Sequence, residues 1–162
     1  MIDRDRGITD LHSHLVPGVD DGAQTVEEAL DGLTRLREAG VSAVATTPHL
    51  VGSLTLDQAA LEARLEEMEA GWVSLEKIAE REFPRLGLHR GYEIMLDVPN
   101  PELSDARLGL AGTSFVLVEW PRMRVPPRTG QVLARLREEG LRPVLAHPER
   151  YHGLDQELEL VR

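Results

Sequence analysis

The stretch Val41-Ser-Ala-Val-Ala-Thr-Thr-Pro-His49 reads as a strand that runs out into a turn carrying a histidine. Small and β-branched residues fill positions 41–47 without a helical period, the pattern of a buried strand. Pro48 favours an extended Thr47 and closes the strand. Just upstream, Gly40 is a natural stop for a helix whose apolar face is Val26, Ala29, Leu30, Leu33 and Leu36. Thr25 and Glu28 form its capping box. Further upstream, residues 7–14 read as another strand. Two strands joined by a helix within 50 residues predict parallel pairing.

The alternation continues downstream. Thr55 with Gln58 predicts a capping box opening a long helix, with Leu61, Leu65, Met68, Trp72, Leu75 and Ala79 along one face. Gly71 weakens this helix and Pro84 lies beyond its end. Leu86 to Met95 is a third strand, residues 97–113 a loop with a turn of helix, and Phe115 to Glu119 a fourth strand. Thr129 to Glu139 is a helix with Val132, Leu133 and Leu136 inward and Gly140 as its stop. Pro143 to Ala146 is the fifth strand, and Asp155 to Arg162 opens another helix. The expectation is one α/β domain spanning residues 1–162. Five strands do not close a (β/α) barrel, so either the sheet is open or its C-terminal part is lacking.

Composition narrows the chemistry. The 162 residues include no cysteine, which removes disulfides, thiolate metal sites and thiol catalysis from this chain. With 18 basic and 28 acidic residues the net charge is −10, which argues against nucleic acid as a partner. No stretch reaches membrane-spanning length and residues 1–6 are no signal peptide, so the expected location is the cytoplasm.

Polar residues then gather where strands end. His12 and His14, two apart, point to one side of a strand. Asp20-Asp21-Gly22 follows; Asp20 suits an Asx turn and Asp21 a hard oxygen ligand. His49 follows the second strand. Glu93 ends the third, an apolar one, and Glu119 follows three branched aliphatics. A buried carboxylate needs a cation, either a metal or an arginine such as Arg122, Arg124 or Arg150. His147-Pro-Glu-Arg-Tyr151 closes the fifth strand. Arg150 can present a fork of donors to a phosphate, or else pair with Glu149. His89 and His152 fit no pattern. Strand ends of parallel α/β folds share one rim, where their chemistry occurs. Nitrogen and oxygen donors suit Mn, Zn, Fe or Mg.

Asp10-Leu-His-Ser-His14, Val19-Asp-Asp-Gly22, Thr47-Pro-His49, Gly91-Tyr-Glu93, Leu117-Val-Glu119 and Ala146-His-Pro-Glu-Arg-Tyr151 together resemble the polymerase and histidinol phosphatase (PHP) superfamily. Within it they are similar to the bacterial manganese-dependent protein-tyrosine phosphatases of capsule and exopolysaccharide synthesis. The resemblance runs from about residue 8 to the C-terminus. It implies a distorted (β/α)7 PHP barrel, incomplete here, with a trinuclear metal centre at the C-terminal rim. It implies His12, His14, Asp21, His49, Glu93, Glu119 and His147 as metal ligands and Arg150 as the group engaging phosphate. The expected ion is Mn2+, with Zn2+, Fe2+ or Mg2+ as alternatives. The expected substrate is a phosphotyrosyl protein, a bacterial tyrosine kinase. The later Asp-x-His motif of such proteins has no counterpart after His147. Two alternatives follow: a PHP phosphoesterase of small phosphate esters, or an inactive metal-binding or interaction module whose exposed edge pairs with a second chain as an oligomer.

Overall fold

The structure, a computed structural model, describes residues 7–152. Among the described residues there are seven strands: β1 (Ile8–Ser13), β2 (Val41–Thr46), β3 (His49–Val51), β4 (Gly87–Arg90), β5 (Glu93–Met95), β6 (Phe115–Glu119) and β7 (Arg142–Leu145). Three α-helices accompany them among the described residues: α1 (Val26–Glu38), α2 (Gln58–Glu82) and α3 (Thr129–Glu138). Every strand pairing is parallel. The strands form two sheets, β1-β2-β4 and β3-β5-β6-β7.

The two sheets are one set of chain passes, interrupted at a common level. Only Thr47-Pro48 separates β2 from β3, and only Gly91-Tyr92 separates β4 from β5. Across the interruption Gly91 N donates to Thr46 O (3.1 Å) and Glu93 N to Pro48 O (3.1 Å). Pro48 has no N–H to give, so the ladder breaks beside it. Five passes therefore run side by side, matching the five strands read from the sequence. The predicted single strand Leu86 to Met95 is corrected to two short ones, and His49 belongs to a strand rather than to a loop. Among the described residues β1 and β7 are each paired on one side only.

The helices follow the sequence with two corrections, the first being that the Glu28 carboxylate of the expected capping box accepts from Gln24 N rather than from Thr25 N. Thr25 caps α1, accepting from Glu28 N (3.2 Å), and Ala29 and Leu33 are buried. The cap of α2 is Asp57, which accepts from Ala59 N (2.9 Å) and Ala60 N (3.1 Å). Thr55 does not form the expected capping box with Gln58. It is buried in a 3-10 turn (Gly52–Leu56), where its hydroxyl donates to Gly52 O and accepts from Glu102 N. A carboxylate two residues nearer the helix takes the cap, and the threonine serves a long-range contact instead. Along α2, every residue of the predicted face is buried, and Ile78 with them. Gly71 has a packing reason: a Cβ there would stand 2.8 Å from Pro17 O and from Val16 Cγ1. The segment after β1 thus lies directly against α2.

The main core gathers Leu33, Leu50, Met68, Trp72, Ile94 and Leu136, all at most 1% exposed. Each such side chain stabilises the fold by about 1.5–3 kcal/mol. The loop 97–113 is more ordered than its composition suggests. It holds two 3-10 turns, and Leu103, Leu108 and Leu110 are buried. Among the described residues no helix is long and apolar enough to cross a membrane. The helix expected over Asp155 to Arg162 lies outside the described residues.

Candidate metal centre

The rim is assembled by threonines at the end of β2. Thr46 Oγ1 donates to Ser13 O (3.0 Å) and accepts from Leu15 N (2.9 Å), and Thr47 N donates to Ser13 O (2.7 Å). These bonds hold the end of β1 against β2, and so aim His12 and His14 at the next passes. After His14 the chain turns through Asp20-Asp21-Gly22. Ala23 N donates back to His14 O (2.9 Å), and a Cβ on Gly22 would stand 2.2 Å from that same oxygen. Only glycine permits this approach. His49 and Glu93 then face each other as register partners at the starts of β3 and β5. Glu93 therefore opens a strand rather than ending one. Glu119 ends β6, and His147 follows β7 in a left-handed conformation (φ 31°).

All seven residues expected as ligands come together. Glu93 is fully buried and sits at their centre. Its Oε1 lies 2.6 Å from His147 Nε2 and 3.5 Å from His12 Nε2. Its Oε2 lies 3.2 Å from His14 Nε2 and 3.1 Å from His49 Nδ1. Glu119 is 3.3 Å from His49 Nδ1 and 3.7 Å from His147 Nε2. Asp21 is the peripheral member, its side chain 83% exposed and 3.3 Å from His49 Nε2. Three groups each place their donor atoms within 4.8 Å of one another: His12, Glu93, His147; His14, Asp21, His49; and His49, Glu93, Glu119. His49 appears twice because its two ring nitrogens face opposite groups.

Neither buried carboxylate pairs with an arginine among the described residues. The arginine alternative for Glu119 is therefore not realised, and its neighbours are imidazoles. Glu93 Oε2 makes no aligned hydrogen bond although two imidazole nitrogens lie within 3.2 Å. An oxygen surrounded by nitrogens that do not aim hydrogens at it fits atoms arranged to share a cation. The donor set, imidazole and carboxylate, suits a divalent ion of the Mn, Fe or Zn kind.

Electrostatics support the same reading. Burial alone would lower the pKa of His14, but the Asp20 hydrogen bond and the neighbouring Glu93 carboxylate prevail and raise it to about 9. Burial would raise Asp20, yet the His14 hydrogen bond and the N–H groups of Gly22 and His49 bring it down to about 2. Burial lowers His12, leaving it neutral and ready to donate a lone pair at pH 7. Glu119 raises His49 by a hydrogen bond, outweighing burial. Glu93 is held below the usual carboxylate range; burial opposes this, and His14 and the neighbouring imidazoles overcome it. In the protein alone, protons occupy ground that a metal would take.

Arg150 lies in a 3-10 turn (Pro148–Arg150) and is exposed. It lines the same cleft of about 500 Å³ as the histidines and carboxylates, opposite no acid with which it pairs among the described residues. The alternative salt bridge to Glu149 is not formed. His89 and His152 are both exposed and outside the cleft.

Three residues that matter to the geometry carried no such role in the sequence reading. Asp20 makes the expected Asx turn, accepting from Gly22 N (2.9 Å). Its other oxygen accepts from His14 Nδ1 (2.7 Å) and His49 N (3.0 Å), which fixes one imidazole and the backbone of another. Thr47 Oγ1 meets His12 Nδ1 at 2.7 Å. A fully buried Thr46-Thr47 pair, where an apolar strand would carry Val or Ile, was the available signal. Tyr151 is buried, stacks on His147 (5.9 Å, 18°) and accepts a hydrogen bond from Trp120 N (2.8 Å). It braces the imidazole from behind.

Comparison with known proteins agrees with this geometry. A family described as "Capsular polysaccharide synthesis, CpsB/CapC" matches residues 8–162. CapC of Staphylococcus aureus is 27% identical over 161 residues, covering 95% of this chain and 59% of CapC. The tyrosine-protein phosphatase YwqE of Bacillus subtilis is 27% identical over 142 residues, covering 87% of this chain and 54% of YwqE. A solved structure from work on YwqE and on CpsB from Streptococcus pneumoniae, described as unique metal-dependent tyrosine phosphatases, superposes with a TM-score of 0.70 at 27% identity. It covers 95% of this chain and 62% of that one. The chain thus spans less than two thirds of the length of these relatives.

Proposed function

The chain belongs to the CpsB/CapC family of capsular polysaccharide synthesis, and on that premise we propose that it acts as a metal-dependent protein-tyrosine phosphatase. The observation that carries the reading is Glu93, a fully buried carboxylate set among four imidazoles with no arginine beside it. His12, His14, Asp21, His49, Glu93, Glu119 and His147 would hold the ions, Mn2+ being the expected one. Bound there, divalent ions supply positive charge to a phosphate and bring the ionisation of water towards neutrality.

The chain's own residues do the rest. Arg150, on the rim of the cleft, engages phosphate oxygens with paired N–H donors and shares the charge that builds on them. Asp20 holds His14 by its Nδ1, so that Nε2 faces Glu93, and Thr47 does the same for His12. Tyr151 and Trp120 keep His147 in place. With no cysteine in the chain, the phosphoryl group has no thiol to pass through. The substrate proposed is phosphotyrosine on a cytoplasmic bacterial tyrosine kinase that controls polysaccharide synthesis.

The test loads the purified chain with Mn2+ and compares a phosphotyrosyl peptide with a small alkyl phosphate. The expected result is hydrolysis of the peptide, preferred over the alkyl ester and lost on chelation. Turnover that survives exhaustive metal removal would falsify the reading. A preference for the alkyl ester would move it to the small-ester alternative. Stable protein that binds no metal and hydrolyses nothing would favour the interaction module.

A further inference from the structure

A second groove adjoins the metal cleft. It has a volume of about 540 Å³ and shares Pro121 and Arg122 with the cleft, so the two are continuous. Its floor is apolar, built from Leu96, Val98, Trp120, Val125 and Val132. Its wall carries Arg122, Arg124 and Arg128, all exposed. Asp97 is its one acid, and that carboxylate already accepts from Ser53 N (2.8 Å).

These arginines differ from six of the other eleven described ones. Arg35, Arg64, Arg81, Arg90, Arg107 and Arg135 each pair with a carboxylate. Arg122, Arg124 and Arg128 pair with none among the described residues, in a chain of net charge −10 where acids are plentiful. The loop that carries them is held in costly backbone. Arg122 (φ 59°), Met123 (φ 51°) and Arg128 (φ 69°) all adopt the left-handed region without being glycine. Such conformations cost on the order of 1–3 kcal/mol each and cluster where a chain is shaped for binding.

Resting on the phosphatase reading, we propose that this groove receives the polypeptide flanking the phosphotyrosine, and that Arg124 and Arg128 select acidic residues in it. An acidic segment is repelled by much of this acidic surface and attracted to a stretch where three unpaired arginines stand together beside the metal cleft. The apolar floor suits an aliphatic or aromatic neighbour of those acids. Arg122, at the junction, sits between flank and phosphate.

The test uses the Mn2+-loaded chain and two fluorescent phosphotyrosyl peptides that differ only in Glu or Lys at the flanking positions. The ratio of their kcat/KM values is expected to favour Glu by about tenfold at low ionic strength and to shrink with salt. The charge reversal Arg124→Glu/Arg128→Glu should invert that ratio, while Arg85→Glu, an exposed arginine elsewhere, should preserve it. Because the ratio is internal to each protein, loss of active material does not imitate an inversion. Equal handling of the two peptides, or a ratio indifferent to the double reversal, would overturn the groove. If neither peptide is hydrolysed, the phosphatase reading fails. Anisotropy of the same peptides then decides the groove alone, by whether the Glu peptide binds more tightly and the reversal removes that difference.

Discussion

Arg90 and Glu93 lie three residues apart on one chain pass, either side of the Gly91-Tyr92 interruption, and each is the hub of a charged cluster. Arg90 reaches two glutamates of α2. Its terminal nitrogens donate to Glu69 (2.8 and 3.1 Å) and its Nε to Glu76 (2.8 Å), while the guanidinium lies over Trp72 at 4.9 Å. Each nitrogen of that guanidinium has an aligned acceptor. Glu93 is less complete: one oxygen meets His147 Nε2 (2.6 Å), but the other, buried, has no hydrogen-bond partner. Charges that satisfy one another, as those around Arg90 do beside an unpartnered Trp72 Nε1, are structural. A cluster that is short of a cation is arranged for something that must arrive.

The sharpest way to break this contrast is Glu93→Gln. Removing the central charge should abolish metal uptake and lower kcat/KM by roughly 10³-fold, since the ions contribute several kcal/mol and each 1.4 kcal/mol or so is a decade in rate. Metal content by elemental analysis and turnover on a phosphotyrosyl peptide check it. If the Glu93→Gln protein still bound metal stoichiometrically, the site would lie elsewhere.

Asp20→Asn tests whether orientation alone matters. With a single acceptor oxygen the amide keeps the bond from Gly22 N or that from His49 N but not both, and it no longer draws a proton onto His14. Metal affinity should fall about 10- to 100-fold, the usual cost of losing a partner behind a ligand. Titration with Mn2+ followed by calorimetry measures it. An unchanged affinity would reduce Asp20 to a turn residue.

The pH dependence has opposite signs in the metal-free and metal-loaded protein. In the metal-free chain the His14 pKa, about 9, exceeds its unfolded value of about 6.5. The stability this contributes is fully present below pH 6.5 and is lost as pH rises towards 9. The Asp20 pKa is about 2, below its ordinary value. Its contribution is present above about pH 4 and lost as pH falls towards 2. Metal ligation needs neutral imidazole, so metal affinity should instead rise with pH up to about 9, by up to about tenfold per unit where one proton is displaced. Thermal melts with and without Mn2+ across pH 6–9 should diverge. Parallel curves would mean that His14 does not exchange a proton for a metal.

Much of this was legible in the sequence, and the remainder was not for identifiable reasons. The alternation of strands and helices depends on local periodicity, and α1, α2 and α3 fell where their apolar faces placed them. The seven expected ligands converge because strand ends of a parallel array share a rim. The split of Leu86–Met95 was not readable, since it depends on Pro48 in the neighbouring pass withholding an N–H. The cap of α2 was misplaced because two eligible residues stood two positions apart, and a distant amide, Glu102 N, decided between them. Asp20 read as a turn residue because that half of its bonding is local. Its bond to His14 spans only six residues, but depends on a chain reversal that Gly22 makes possible.

The smallest effect belongs to the satisfied cluster, and it completes the contrast. Arg90→Ala removes a bidentate pair, a further hydrogen bond and the cation over Trp72. The glutamates left behind are well exposed, their side chains 53% and 41% accessible, and return to water at little cost. Exposed pairs contribute about 0.2–1 kcal/mol and a cation over an aromatic ring about 0.5–1. The loss should be about 1–2 kcal/mol, a drop in Tm of about 2–8 °C for a chain of this size. Metal content and kcat/KM should stay within about twofold of the parent, because no atom of Arg90 enters the cleft. Glu69→Ala and Glu76→Ala should each reproduce part of the drop, and combining them with Arg90→Ala should add little. If Arg90→Ala instead emptied the metal site, the two hubs would be coupled through the Gly91-Tyr92 break, and the interruption between the two sheets would be a mechanical link rather than a boundary.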